Sequence, residues 1–152
     1  MIKVNFKSSN ETLQWIFDAF IRTQLSNTHG CIPSDCPHRE RLGYTGDGQL
    51  ACEAVMTCFD AEKMYRKWMQ DVADCQDVYN GHVQHTAPFG GGGGGPAGWG
   101  GAMIVVPYHF YHHYGDVEAL GAYLYKKGYR NCQIAVFGEN SYEWILTHFA
   151  AT

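Results

Sequence analysis

The chain has 152 residues, 45% of them apolar and 14% aromatic, which is about one domain with enough apolar material for a core. Eleven Lys and Arg against fifteen Asp and Glu give a net charge of −4, which speaks against a nucleic-acid partner because phosphate binding needs a basic face. No stretch is long and apolar enough to span a bilayer, so no membrane is expected, and "MIKVNFKSSN" at the start lacks the apolar centre of a signal peptide, which leaves the compartment open.

The first element announces itself through Ser8 and Glu11, which have the spacing of a capping box. Leu13, Ile16, Phe17, Phe20, Ile21 and Leu25 then recur at helical spacing, and Gly30 suits a stop soon after. The pattern predicts a helix over about 10–26. Next comes "SDCPHRERLGYTGDGQ", residues 34–49, with three carboxylates, two arginines, a histidine and a tyrosine in sixteen positions. A second helical pattern starts after Asp47, with Leu50, Ala54, Val55 and Cys58 on one face. Asp60 is placed to cap a third helix carrying Ala61, Tyr65, Trp68, Met69 and Val72 to about Gln76. Helices joined so closely predict an α-hairpin or a sharp kink.

Residues 80–101 contain six consecutive glycines, 90–95, which cannot hold a helix or strand by propensity. They read either as a linker or as a loop whose backbone comes close to something, with Trp99 at its end. "AMIVVPYHFYHHYGD" resumes a helical run with Pro107 near its first turns. His109, His112 and His113 share a face there, a spacing that a metal could use, but packed or surface histidines between tyrosines are the expected reading. "VEALGAYLYKKG" reads as a helix, "QIAVF" (133–137) as a buried strand, and the rest as a turn and helix. One strand without a sheet makes the end look cut.

Six cysteines, at 31, 36, 52, 58, 75 and 132, do not make a disulfide framework in a chain this helical. Cys52, Cys58 and Cys75 are expected to be small buried hydrophobes. Cys31, Cys36 and His38 could begin a zinc site, but no second pair answers them, so no metal is expected.

The charged stretch has the inventory that glycoside hydrolysis requires: carboxyl groups for two roles, donors for sugar hydroxyls and an aromatic face. Asp35, Glu40 and Asp47 supply the first, Arg39 and Arg41 the second, and Tyr44 the third, with Trp99 as a second wall. A blander account also fits. Asp47 sits where an N-cap belongs, and charged loop residues are usually solvated. The flanking arginines would lower the pKa of Glu40, the wrong direction for an acid, unless in extended chain they point away from it towards Asp35, Asp47 or a sugar, with Glu40 against an apolar wall.

"SDCPHRERLGYTGDG" resembles the signature of bacterial α-L-rhamnosidases of the six-hairpin α/α-barrel type, Asp-Cys-Pro-x-Arg-(x)-Glu-Arg-x-Gly-Trp/Tyr-x-Gly-Asp. The similarity continues through "FDAEKMYRKWMQDVADCQ", "HTAPFGGGGGGPAGWGGA" and "YHHYGD", covering about residues 1–118. It implies a mainly α fold, part of an (α/α) six-hairpin barrel, and a rhamnose-containing carbohydrate as partner without a cofactor. It implies Glu40 as general acid, Asp35 and Asp47 as supporting carboxylates, Arg39 as a hydroxyl ligand, and Tyr44 and Trp99 as subsite walls. One residue fewer separates Arg39 from Glu40 than in the commoner motif. The family inverts configuration, and nothing in the chain matches its base. From about residue 119 to 152, "ALGAYLYKKGYRNCQIAVFGENSYEWILTHFAAT" is similar to an early segment of AMP-forming acyl-CoA synthetases, without that family's phosphate loop, which would make a C-terminal β-α unit joined near 115–121. The expected function is thus a piece of an inverting glycosidase, inactive alone. The rivals are a non-catalytic helical module that holds a ligand or metal, and a remnant of an acyl-adenylating ligase. A partial barrel also predicts self-association, through half-covered faces such as Leu13/Phe17/Phe20 and Tyr65/Trp68/Val72.

Overall fold

A computed structural model describes residues 1–79, 81–91 and 97–119. The predicted helix over 117–128 lies outside these residues beyond Ala119, and the predicted strand at 133–137 and the helix after it lie outside them entirely.

Helix α1 spans Glu11–Asn27. Its N-cap is Asn10, whose Oδ1 accepts from the Leu13 backbone N–H at 3.1 Å. The expected Ser8–Glu11 capping box does not form. Ser8 Oγ accepts instead from the Asn10 N–H, and Gln14 Oε1 reaches back to the Ser8 N–H. A short hairpin follows, β1 (Thr28–His29) antiparallel to β2 (Ile32–Pro33). Gly30 and Cys31 both adopt positive φ, 55° and 62°, as a tight two-residue turn between twisted strands demands. Ser34 then closes back on α1, donating to the Asn27 carbonyl from both backbone N and Oγ.

Helix α2 is Thr45–Cys58 and α3 is Glu62–Asp74. Neither predicted aspartate cap holds. The N-cap of α2 is Tyr44, three residues before Asp47, and that of α3 is Ala61, one after Asp60; neither cap has a side-chain hydrogen bond. The reason is tertiary. The chain at 84–87 returns beside Gly43–Thr45, with Thr45 N–H donating to His85 O and Ala87 N–H to Gly43 O, and these bonds start α2 early. After α4 (Ala97–Gly100), α5 spans Ala102–Tyr114 with Pro107 inside it, and ends on Gly115 at φ 71°. Lacking an N–H, Pro107 cannot serve the Met103 carbonyl.

The core lies where α2 and α3 pack against α5. Cys52, Val55, Met56 and Phe59 meet Tyr65, Trp68 and Val72 of α3 and Ala102, Met103, Val106 and Phe110 of α5. The inward face of α2 is therefore not the expected one: Leu50 is 86% exposed and Ala54 is exposed. The Tyr65/Trp68/Val72 face, expected to be half-covered, is buried, with Gly48 of α2 and Ala87 lying on Trp68 and α5 packed beside them. Leu13, Trp15, Ile16 and Leu25 of α1 do remain more than half exposed. Of the three helical cysteines, Cys52 is fully buried, whereas Cys58 and Cys75 are partly buried, and Cys75 Sγ accepts from the Phe89 N–H at 3.1 Å.

Candidate active site

The 34–49 segment is a closed loop. Asp35 N–H donates to Leu42 O at 3.2 Å, and Asn27 of α1 holds the Asp35 carbonyl at 3.4 Å. Arg41 adopts φ 54°, a conformation side-chain-bearing residues rarely take, and its Nε donates to Pro37 O at 2.8 Å. That bond braces the loop from within. Arg41 thus faces its own backbone and not a carboxylate.

The brace gathers Asp35, Cys36 and Glu40 into one cluster, with a carboxylate oxygen or sulfur of each within 4.8 Å of the others. Cys36 Sγ lies 3.6 Å from Glu40 Oε2. Arg39 forms an ion pair with the other Glu40 oxygen, so of the two arginines Arg41 alone is turned away from Glu40. Cys31 is exposed at the hairpin turn and His38 is exposed in the loop, so the Cys36 partners are carboxylates and not the Cys31/His38 set. Partial burial pushes the Asp35 carboxyl up, but hydrogen bonds from the Cys36 thiol, with the Glu40 carboxyl and from backbone N–H groups outweigh it and hold Asp35 below the ordinary carboxylate value.

Asp47 lies in the first turn of α2, where a negative charge is favoured by the helix N-terminus. Its carboxyl is nonetheless raised, by burial first and then by the like charge of Asp35. With Asp35 it lines a pocket of about 330 Å³ between α1 and α2, alongside Gln24, Asn27 and Leu50. On its other side Asp47 lines a wider open groove with Trp99, Gln49, Glu53 and His109. Trp99 is fixed to α2 by two contacts. Its indole lies on Gly46, where a Cβ would come within 2.7 Å of the ring, and Gln49 Nε2 donates to Gly98 O. Tyr44 stacks on His85, ring centroids 5.8 Å apart at 18°. The histidines of α5 sit among tyrosines, His109 partly buried and His112 and His113 at the surface: Tyr108 meets His109 and His112 edge-on.

Sequence reading therefore located the loop and its carboxylates but missed three residues. Cys36 was visible inside the motif and was weighed only as a metal ligand. His85 and Gln49 gave no local signal, because their partners lie 41 and 49 positions away in the chain.

The Asp47 charge has a cost that can be measured. A carboxyl whose folded value is raised destabilises the fold at pH above that value and not below the ordinary value; for Asp35, held low, the sign is reversed, and its stabilisation is lost as pH falls through its folded value. Asp47→Asn is expected to raise the urea midpoint slightly at pH 7. The gain should vanish as pH falls through the carboxylate range, where Asp47 is itself uncharged. A midpoint lower at pH 7 than that of the unsubstituted chain would show that the helix N-terminal benefit outweighs burial and repulsion.

Paired helices that present a carboxylate-rich loop beside an aromatic-walled groove define part of a helical-hairpin glycoside hydrolase domain. The chain belongs to the bacterial alpha-L-rhamnosidase 6 hairpin glycosidase domain family, whose sequence pattern matches residues 3–133. The match runs past residue 118, across the place where a join between two families was expected. An alpha-L-rhamnosidase of Formosa agariphila is 33% identical over 78 residues, which is 51% of this chain and 8% of that protein. A second from the same organism is 35% identical over 85 residues, 55% of this chain and 9% of that protein. Among solved structures, alpha-L-rhamnosidase from Dictyoglumus thermophilum superposes with TM-score 0.75 at 34% identity, covering 84% of this chain and 15% of that one. Streptomyces avermitilis alpha-L-rhamnosidase complexed with L-rhamnose superposes with TM-score 0.71 at 29% identity, covering 82% and 12%. The chain thus spans between 8% and 15% of the length of these relatives.

Proposed function

We propose that this chain is part of an inverting α-L-rhamnosidase catalytic barrel that removes terminal α-L-rhamnose from glycans or glycosides. The observation that carries the reading is the Asp35–Cys36–Glu40 cluster beside the groove that Asp47 and Trp99 line, in a chain of this family. Glu40 is the general acid, and Arg39, already on its carboxyl, holds it and a sugar hydroxyl. Asp35 and Asp47 are supporting carboxylates at the sugar, and Tyr44 and Trp99 are its aromatic walls. Arg41, engaged with Pro37, enters as the brace of the loop. The exposed apolar residues of α1 make self-association part of the same reading, as is the division of the chain near residue 118.

A barrel enzyme containing this chain is expected to release β-rhamnose first from an aryl α-L-rhamnoside, followed by proton NMR during early turnover. First appearance of the α anomer, or no release, overturns the reading. The 152-residue chain alone is expected to release none. An inverting pair stands about 6.5–9.5 Å apart with water between base and sugar, whereas a carboxylate oxygen of Asp35 lies within 4.8 Å of one of Glu40.

A second reading is a non-catalytic module that binds a metal through Asp35, Cys36 and Glu40, whose donor atoms are close enough for it. The Arg39 guanidinium on Glu40 opposes this by placing a cation there already. Metal analysis of the purified chain separates the two: stoichiometric zinc that stays through chelation supports the module.

A further inference from the structure

We propose that the groove between Asp47 and His109 is a leaving-group subsite, in which Glu53 and His109 select a neutral, hydroxyl-bearing sugar as the group to which rhamnose is attached. The proposal rests on the reading of the 34–49 loop as the rhamnose site, and it adds two residues which that reading leaves unused. Asp47 faces two cavities. On one side it shares the pocket of about 330 Å³ with Asp35, and on the other it opens the groove, about 710 Å³ and within the range of small-molecule sites. A substrate whose rhamnose is held by Asp35 and Asp47 thus has room for its other half past Trp99. Glu53 follows Asp47 by six positions on α2, about 9 Å along the helix axis. It therefore meets the far part of such a ligand and not the ring that Asp47 holds.

The lining fixes the chemical class. Trp99, 38% exposed, and Val105 offer an apolar wall for the C–H face of a ring. Glu53 of α2 and His109 of α5 meet with Oε2 and Nδ1 4.0 Å apart, too far for a hydrogen bond. The Glu53 side chain is 69% exposed, so its carboxylate is open to a ligand. Burial, joined by His112 and His113, holds His109 below the ordinary imidazole value against the pull of Glu53, so the ring is uncharged at neutral pH. A carboxylate only accepts, while a neutral imidazole donates from one nitrogen and accepts at the other. Together they match hydroxyls, which do both. No Lys or Arg is among the described residues that line the groove, and Asp47 and Glu53 are both acidic, so an anionic leaving group is repelled. A flat aryl group would stack on Trp99 but would give Glu53 nothing to accept.

The test titrates the 152-residue chain with L-rhamnose and with an α-L-rhamnosyl-D-glucose disaccharide, followed by NMR. The loop is read at the Asp35 and Glu40 amides, and the groove at the Glu53 carboxyl carbon and the His109 ring protons. Rhamnose should shift the loop signals. The disaccharide should shift both sets and bind about three- to tenfold more tightly, the worth of one added hydrogen bond. Glu53→Ala should bring the ratio of the two affinities down towards one; the side chain is exposed, so the substitution leaves the fold intact. A nitrophenyl rhamnoside, whose leaving group has no hydroxyls, should bind equally well with and without the Glu53 carboxylate. A disaccharide that shifts the loop alone, a ratio unchanged in Glu53→Ala, or no groove shift from either sugar at millimolar concentration each overturns the proposal. Groove shifts without loop shifts support a sugar site at Glu53 and His109 and remove the loop as the rhamnose site, so the two failures are told apart.

Discussion

Trp68→Ala is expected to unfold the packed unit and to take the 34–49 loop with it. The Trp68 indole is fully buried, at the centre of the α2–α3–α5 core. Its six-membered ring lies on Gly48 of α2, and its Nε1 donates to Ala87 O at 2.9 Å. One side chain therefore holds three pieces together: α3, the start of α2 and the returning 84–87 segment. Truncating a core Trp costs about 3–5 kcal/mol through lost transfer energy and the cavity left behind. Leaving the Ala87 carbonyl buried without its donor adds about 1–3 kcal/mol. Domains have only about 5–15 kcal/mol in all, so the variant should lose its cooperative urea transition and its near-ultraviolet dichroism at 25 °C. A transition within a few tenths of molar urea of the unsubstituted chain would mean that the loop does not depend on this indole.

Two glycine substitutions refine the same result. A methyl on Gly48 would sit 2.2 Å from Trp68 Cη2, and Trp68 has nowhere to go. Gly48→Ala should therefore resemble Trp68→Ala. A methyl on Gly46 meets Trp99 instead, which is 38% exposed and can tilt outward. Gly46→Ala should fold and change chiefly the Trp99 fluorescence. Gly46 and Gly48 are thus places where tryptophans lie on the helix. Gly43 adds a third close approach, to Ala87 O and Ile32.

This explains how much could be read from the chain in advance. Helix α3 was legible because Tyr65, Trp68 and Val72 repeat at helical spacing against polar neighbours, and all three are buried. Helix α1 was legible to within a residue at each end. The start of α2 was not, because Thr45 is fixed by carbonyls at 84 and 85, forty positions away, and no local rule reports them. The Gly30–Cys31 turn was missed for a different reason: Cys seldom takes positive φ, so only half of its signal was present. In the site, residue types pointed to carboxylate chemistry, but the pairing within the loop depends on the left-handed Arg41. That conformation swings its guanidinium to Pro37 and leaves Arg39 on Glu40.

In a barrel enzyme containing this chain, Glu40→Gln is expected to lower turnover of alkyl and sugar rhamnosides by about 10²–10⁴-fold, the usual contribution of general acid–base catalysis. An alcohol leaving as its alkoxide is a poor leaving group, so bond cleavage waits on a proton that glutamine cannot supply. A nitrophenolate leaves without help, and an aryl rhamnoside with that group should lose far less. The substitution is conservative where it needs to be. The glutamine amide oxygen can still accept from Arg39, so the loop and the sugar contacts it supports should survive, and KM should change little. The pH profile supplies the second readout. If Glu40 donates the proton, the alkaline limb of kcat on alkyl rhamnosides should disappear in the variant, because no acid remains to be titrated. If Glu40 only positions the sugar through Arg39, both substrates lose rate equally and the alkaline limb persists. That outcome would move the acid to Asp47, whose carboxyl is raised by burial and by Asp35 and which lines the groove beside Trp99. The decisive quantity is therefore the ratio of the two losses, aryl against alkyl, since a misfolded or poorly expressed variant lowers both rates together and leaves that ratio at one.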